Sequence, residues 1–159
     1  MLGLAMAVMV ALCSMTAAIA TAEGAPTRDE YAVSLEKICK PRAEETVRTM
    51  RGVRGDVRAK RDRLAAAKFA KAGRIFAKTV TAISVVARPT AYKTALAKWF
   101  RDLKRQEHYL PRIATQLRVS HAVKAQHLTA AFIHSGNRAN DAVLAFNFDY
   151  CKFKYSRFS

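Results

Sequence analysis

The chain has 159 residues, 28 Lys and Arg against 12 Asp and Glu, and a net charge of +16. About half of it is apolar, which excludes a disordered polyelectrolyte, and its length fits a single domain. A charge well beyond the magnitude of roughly 2–8 that keeps a small domain soluble points to polyanionic partners: nucleic acid, acidic lipid headgroups or anionic wall polymers.

Residues 1–22, MLGLAMAVMVALCSMTAAIATA, carry no charged side chain and end in two A-x-A sites, Ala18-Ile19-Ala20 and Ala20-Thr21-Ala22. This reads as a secretory signal cleaved after Ala22, with Ala20 as the second choice, followed by a mature domain over 23–159. The basic residue usual near the start of such a signal is missing, and an uncleaved N-terminal membrane anchor is the alternative. Cys13 follows Leu12, not the small residue that precedes a lipid-modified cysteine.

Thr27-Arg28-Asp29-Glu30 has the form of a capping box and opens a first helix. Tyr31, Leu35, Ile38 and Cys39 are its early apolar face, and Ala43, Val47 and Met50 continue it past Pro41, where a kink is expected. Gly52 and Gly55 flank a turn. A second helix carries Ala65, Phe69, Ala72, Phe76, Thr79, Ile83 and Val86 at alternating steps of four and three, the spacing of a heptad seam. It stops at Arg88-Pro89-Thr90. A third repeats the rule with Tyr92, Leu96, Trp99, Leu103, Gln106, Leu110, Ile113 and Leu117, bent at Pro111. A fourth shows Ala125, Leu128, Phe132, Ser135, Ala139, Val143 and Phe146. Strand-like alternation is confined to Phe146, Phe148 and Tyr150. Four helices of similar length with short connections predict an all-α fold, an antiparallel up-down four-helix bundle.

The last fifteen residues, AFNFDYCKFKYSRFS, hold six of the fourteen aromatics of the chain. In an up-down bundle the start of helix one and the end of helix four share an end, so Cys39 and Cys151 are placed to meet. They are the only cysteines after residue 22, and export permits a disulfide between them. Free buried thiols or an intermolecular bond are the alternatives. The tail aromatics are expected to lie back over the helices as a structural lid. An exposed membrane-contact tail or an assembly contact is the rival.

Taken together, Tyr31 with Ile38-Cys39, the segment ARPTAYKTALAKWFRDLKRQE over 87–107 and GNRANDAVLAFNFDYC over 136–151 resemble a group of small, uncharacterised exported helical proteins of high-GC Gram-positive bacteria. The resemblance covers most of residues 28–153. It implies a helical bundle and a disulfide between the early and the late cysteine, and it brings no activity and no catalytic residues.

Residues 40–78 are the densest basic region, with thirteen Lys and Arg against four acids. Arg51, Arg54, Arg58 and Arg61 fall within about 80° of a helical wheel, an anion-binding stripe if helix runs through them. Arginine's planar fork suits phosphate and carboxylate. A turn at the glycines would scatter the stripe, and a merely solvated basic face is the plainer reading. Export argues against nucleic acid, and no nucleic-acid motif accompanies the charge.

Among His108, His121, His127 and His134 no pair has the i, i+4 spacing that clasps a metal on one helix, and Glu107 beside His108 points away. Asn137, Asn140 and Asp141 on the fourth helix form either an internal network, with Arg138 paired to Asp141, or a small-ligand pocket beside the C-terminal aromatics. Neither a nucleophile elbow nor a phosphate-cradling glycine loop is present, and Glu44 and Glu45 point apart. No metal, cofactor or enzymatic activity is expected. The expected role is a non-enzymatic protein, secreted or of the cell envelope, that contacts anionic polymer or an acidic membrane surface. A small-ligand-binding bundle is the alternative.

Overall fold

A computed structural model describes residues 24–159; the segment 1–22 read as a signal or anchor lies outside them. Six α-helices follow one another: α1 (Arg28–Met50), α2 (Val53–Arg58), α3 (Asp62–Ser84), α4 (Lys93–Gln106), α5 (Tyr109–Arg118) and α6 (Ala122–Ala142). Short 3-10 turns cover Thr90–Tyr92, Leu144–Phe146 and Tyr155–Phe158. The described chain is all-helical. The alternation at Phe146 and Phe148 ends in a 3-10 turn and irregular chain, because aromatic side chains there pack inward on helices and meet no second strand.

The capping box forms at the start of α1: the Glu30 amide donates to the Thr27 hydroxyl at 3.3 Å, and the Thr27 amide to the Glu30 carboxylate at 2.8 Å. Tyr31, Leu35, Cys39, Ala43, Thr46 and Met50 line the buried face. Thr46 takes the buried position expected of Val47, which is 44% exposed. The hydroxyl of Thr46 is satisfied by donating to the Arg42 carbonyl at 2.9 Å. Pro41 lies within α1 on its exposed side.

Helix α1 ends where Gly52 takes φ +74°, a left-handed conformation open to glycine at little cost. Gly55 does not mark a turn; it lies inside the short helix α2. In α3 the seam holds: Ala65, Phe69, Ala72 and Ile83 are buried and Phe76 and Thr79 half-buried. The predicted third helix is divided into α4 and α5. The break falls at Glu107–His108, ahead of Pro111 and not at it. Pro111 has no N–H for the Glu107 carbonyl four residues back, and its ring crowds that carbonyl, so the helix is interrupted there.

The core consists of two clusters. One gathers Tyr31, Leu35 and Cys39 of α1, Val80 and Ile83 of α3, Leu96 and Trp99 of α4, Ala139 of α6, and Phe146 and Phe148. The other gathers Met50, Val53, Ala65, Phe69, Leu110, Ile113, Leu117, Ala125 and Phe132. Phe76 packs against both. Cys39 and Cys151 are joined by a disulfide across 112 residues, with Cα atoms 5.2 Å apart.

Candidate binding site

Four basic residues were expected on one stripe, and the chain divides them. Continuous helix through 51–61 is absent: Arg51 lies in the turn after α1, Arg54 and Arg58 stand one helical turn apart on α2, and Arg61 precedes α3. The helix breaks at Gly52, φ +74°, and at Lys60, φ +56°, and between them stands Asp56. It is buried, and it accepts Arg61 Nε at 3.0 Å, Arg61 Nη2 at 2.7 Å and Lys68 Nζ at 2.6 Å. Lys68 also donates to the Arg51 carbonyl at 2.7 Å. These bonds pin α2 against α3 and commit Arg61 to an internal pair. The Lys68 ammonium first, and Arg61 second, hold the Asp56 carboxyl below its usual pKa.

Arg54 and Arg58 remain outward. Both are exposed, and among the described residues neither has a carboxylate within salt-bridge distance. The Arg54 guanidinium lies over the Tyr155 ring, 5.1 Å from its centre, so the C-terminal turn holds it in place.

Both arginines border an apolar cavity of about 580 Å³. Val53 and Val57 of α2, Ile113 and Leu117 of α5, and Ala130 and Ile133 of α6 form much of its wall. Tyr155 and Phe158 of the tail line it too. It opens to solvent past Val57 and Tyr155, each 40% exposed. Its size is within the range of roughly 300–1,000 Å³ of small-molecule sites.

Asn137, Asn140 and Asp141 do not converge on a pocket. Asn137 and Asp141 are exposed. Asn140 uses its amide as a second backbone: its Nδ2 donates to the Phe153 carbonyl at 2.9 Å, and its Oδ1 accepts the Phe153 amide at 2.7 Å. Arg138 reaches Asp102, at 3.5 Å, on α4. The ligand-sized space instead lies along the first part of α6. Sequence patterning misses it because the face of α6 that lines it, Ala122 to Ile133, is closed into a cavity only by residues of α2, α3, α5 and the tail. The nearest signal was the pairing of Arg54 and Arg58 with apolar Val53 and Val57.

A smaller cavity, about 70 Å³, lies beneath the tail beside Cys39, Cys151 and Gln106. Gln106 is fully buried and its amide has no partner among the described residues. Space for one water is about 10–15 Å³ on this measure, so ordered water can solvate the amide there. Among the described residues no group of three or more His, Cys, Asp or Glu could hold a metal ion. Comparison with family models, with curated proteins and with solved structures finds no match to the chain.

Proposed function

We propose that this is an exported, non-enzymatic binding protein of the cell envelope that engages anionic groups of wall polymer or lipid through its basic face. One observation carries the reading. Arg54 and Arg58 are exposed, one turn apart and without a carboxylate partner among the described residues, while the nearby acid, Asp56, is occupied by Arg61 and Lys68. Their charge is therefore available to an outside anion, in a chain of net charge +16. Export rests on the leader-like segment 1–22 and on the disulfide, which suits an oxidising compartment. Among the described residues no helix is long and apolar enough to cross a membrane. Membership of the exported group resembled by residues 28–153 belongs to the same proposal.

We also read the four long helical runs, α1, α3, α4 with α5, and α6, as an antiparallel up-down bundle. Support comes from the clusters: the start of α1 shares one with the end of α3, and Met50 at the end of α1 shares the other with Ala65 and Phe69 at the start of α3.

The second reading, a small-ligand-binding bundle, is favoured by the cavity beside α6 and the tail aromatics. A salt titration separates the two. Adsorption of linear polyphosphate through the basic face weakens steeply between low and physiological salt, and Arg54→Glu/Arg58→Glu, with its helical circular dichroism retained, adsorbs more weakly at low salt and with a shallower salt dependence. Salt-independent adsorption, or adsorption unchanged in the folded double variant, would make the charge a general surface property.

A further inference from the structure

We infer that the groove between α2, α5 and α6 is a site for a single-chain anionic amphiphile, a fatty-acid carboxylate, with its chain along α6 and its head on Arg54 and Arg58. The inference rests on the reading of the basic face above and names the ligand class of one part of it.

Three properties of the groove point to this occupant. Its walls are apolar while its edge carries two arginines without a carboxylate partner, and no Asp or Glu lines it, among the described residues. That is the charge complement of an apolar body with one anionic end. Two guanidinium forks one helical turn apart can hold a single carboxylate by parallel hydrogen bonds. The stretch of α6 that lines it, Ala122 to Ile133, is about 16 Å long at 1.5 Å per residue, the reach of a medium-length chain.

Other occupants fit less well. A polyanion would use the arginines and leave the apolar volume empty. A lipid with two chains would leave one outside a single groove. A second copy of the chain would bring another surface of the same strong positive charge against Arg54 and Arg58, at a repulsive cost. The base of the groove is rigid. Phe158 packs edge-on to Phe132 with ring centres 5.0 Å apart, and Arg54 is held over Tyr155. The space is therefore preformed by the tail and does not wait on a movement of the helices.

The test uses sodium laurate, below its micelle concentration, and linear polyphosphate as separate probes in titration calorimetry at low salt. The purified protein is expected to bind one laurate per chain and not to bind dodecyltrimethylammonium, the same chain with the opposite charge. Ala130 is exposed on the groove wall, so Ala130→Trp fills the space without displacing the core. It is expected to weaken laurate binding at least tenfold and leave polyphosphate binding unchanged. Arg54→Gln/Arg58→Gln is expected to weaken both, and circular dichroism verifies the fold of each variant.

Polyphosphate binding without laurate binding overturns the inference and leaves the basic-face reading standing. Laurate binding without polyphosphate binding supports the inference and removes that reading's polymer arm. Laurate binding untouched by Ala130→Trp places the ligand elsewhere and overturns it. So does a dimer of the unliganded protein that dissociates on Ala130→Trp, since the groove would then belong to a second copy.

Discussion

The Glu36 carboxylate accepts the backbone amide of Tyr150 through both oxygens, at 3.0 and 2.9 Å, across 114 residues of chain. The amides of Asp149 and Cys151 donate to the same group at 2.8 and 3.2 Å. Three successive N–H groups thus form a concave anion site that α1 itself fills. The next residue after Tyr150 is the disulfide cysteine. Farther on, Arg157 donates to the carbonyls of Asp149, Tyr150 and Lys152, and Asn140 holds Phe153. The C-terminus does not fray because side chains from α1, α6 and the tail itself take the place of a sheet or helix partner. Six aromatics can then be crowded there without all being exposed.

Glu36→Ala leaves those three amides without their charged acceptor. Hydrogen bonds to charged groups are worth roughly 1.5–3 kcal/mol each, and water recovers part of the loss at this half-buried site. The expected net destabilisation is about 1–3 kcal/mol, with the disulfide retained. Amide exchange at residues 149–151 should accelerate relative to α6. Equal exchange rates in variant and parent would show that the disulfide alone positions the segment.

The Cys39–Cys151 bond closes a loop of more than a hundred residues, for which the chain-entropy account gives roughly 5 kcal/mol before any offset from strain or residual structure. Cys151→Ser is expected to lower stability by about 2–5 kcal/mol and the melting temperature accordingly. Alkylation of native, unreduced protein should leave both residues unmodified by mass. Two alkylated cysteines would show that the bond does not form.

Much of the fold is legible in the sequence because it rests on local or periodic signals. The capping box needs only Thr27 and Glu30, and the α3 seam only the spacing from Ala65 to Ile83. The two cysteines are the only ones after residue 22. What is not legible depends on polar groups that meet across the fold. Asp56 pairs with Arg61 and Lys68 between helix breaks at Gly52 and Lys60, so Arg61 leaves the stripe while remaining exposed, and nothing in the spacing announces that pairing. Asn140 stands beside Asn137 and Asp141 like a pocket polar group, yet its partner is the backbone of Phe153. One face of α6 supplies much of the groove, but residues of α2, α3, α5 and the tail close it, and that meeting is not written in any one segment.

Tyr31 offers a titration test of the core. Its hydroxyl is buried without a partner among the described residues, and burial pushes the phenol up to about 12, against a smaller opposing pull from Arg88. The unfolded value is 10.0. A raised pKa means the folded chain holds the proton longer, so the stabilisation is complete below pH 10 and is lost as pH climbs toward 12. The slope is about 1.4 kcal/mol per pH unit in that window. Ultraviolet titration of the folded protein should show a late tyrosine ionisation, and Tyr31→Phe should remove that late step and flatten the alkaline loss. A titration without that late step would place Tyr31 in contact with water.

Gly136 decides between a lid and a loose tail. A methyl group built at Gly136 would lie 2.4 Å from Cγ and Cδ1 of Phe153, so the aromatic ring rests on the backbone of α6. Phe153 is in turn edge-on to Phe132, at 5.2 Å, and stacked on Phe158, at 5.8 Å. Gly136→Ala must therefore push this aromatic group off the helix, an overpacking cost of roughly 1–3 kcal/mol. The same change in a helix freed from that contact gains about 0.5–1 kcal/mol, because alanine loses less backbone freedom than glycine. In the full chain Gly136→Ala should lower the melting temperature. In a chain truncated after Cys151, which keeps the disulfide and lacks Phe153, Tyr155 and Phe158, it should raise it. The truncation by itself should cost several kcal/mol and let a hydrophobic dye bind near Phe132, since each aromatic removed buried area worth up to roughly 1.5–3 kcal/mol. A tail that only contacts membranes has a different signature: Gly136→Ala would stabilise both chains, and the truncation would weaken vesicle adsorption without changing stability. The reversal of sign between the two backgrounds isolates the Gly136–Phe153 contact from every other effect of either change, as a double-mutant cycle requires.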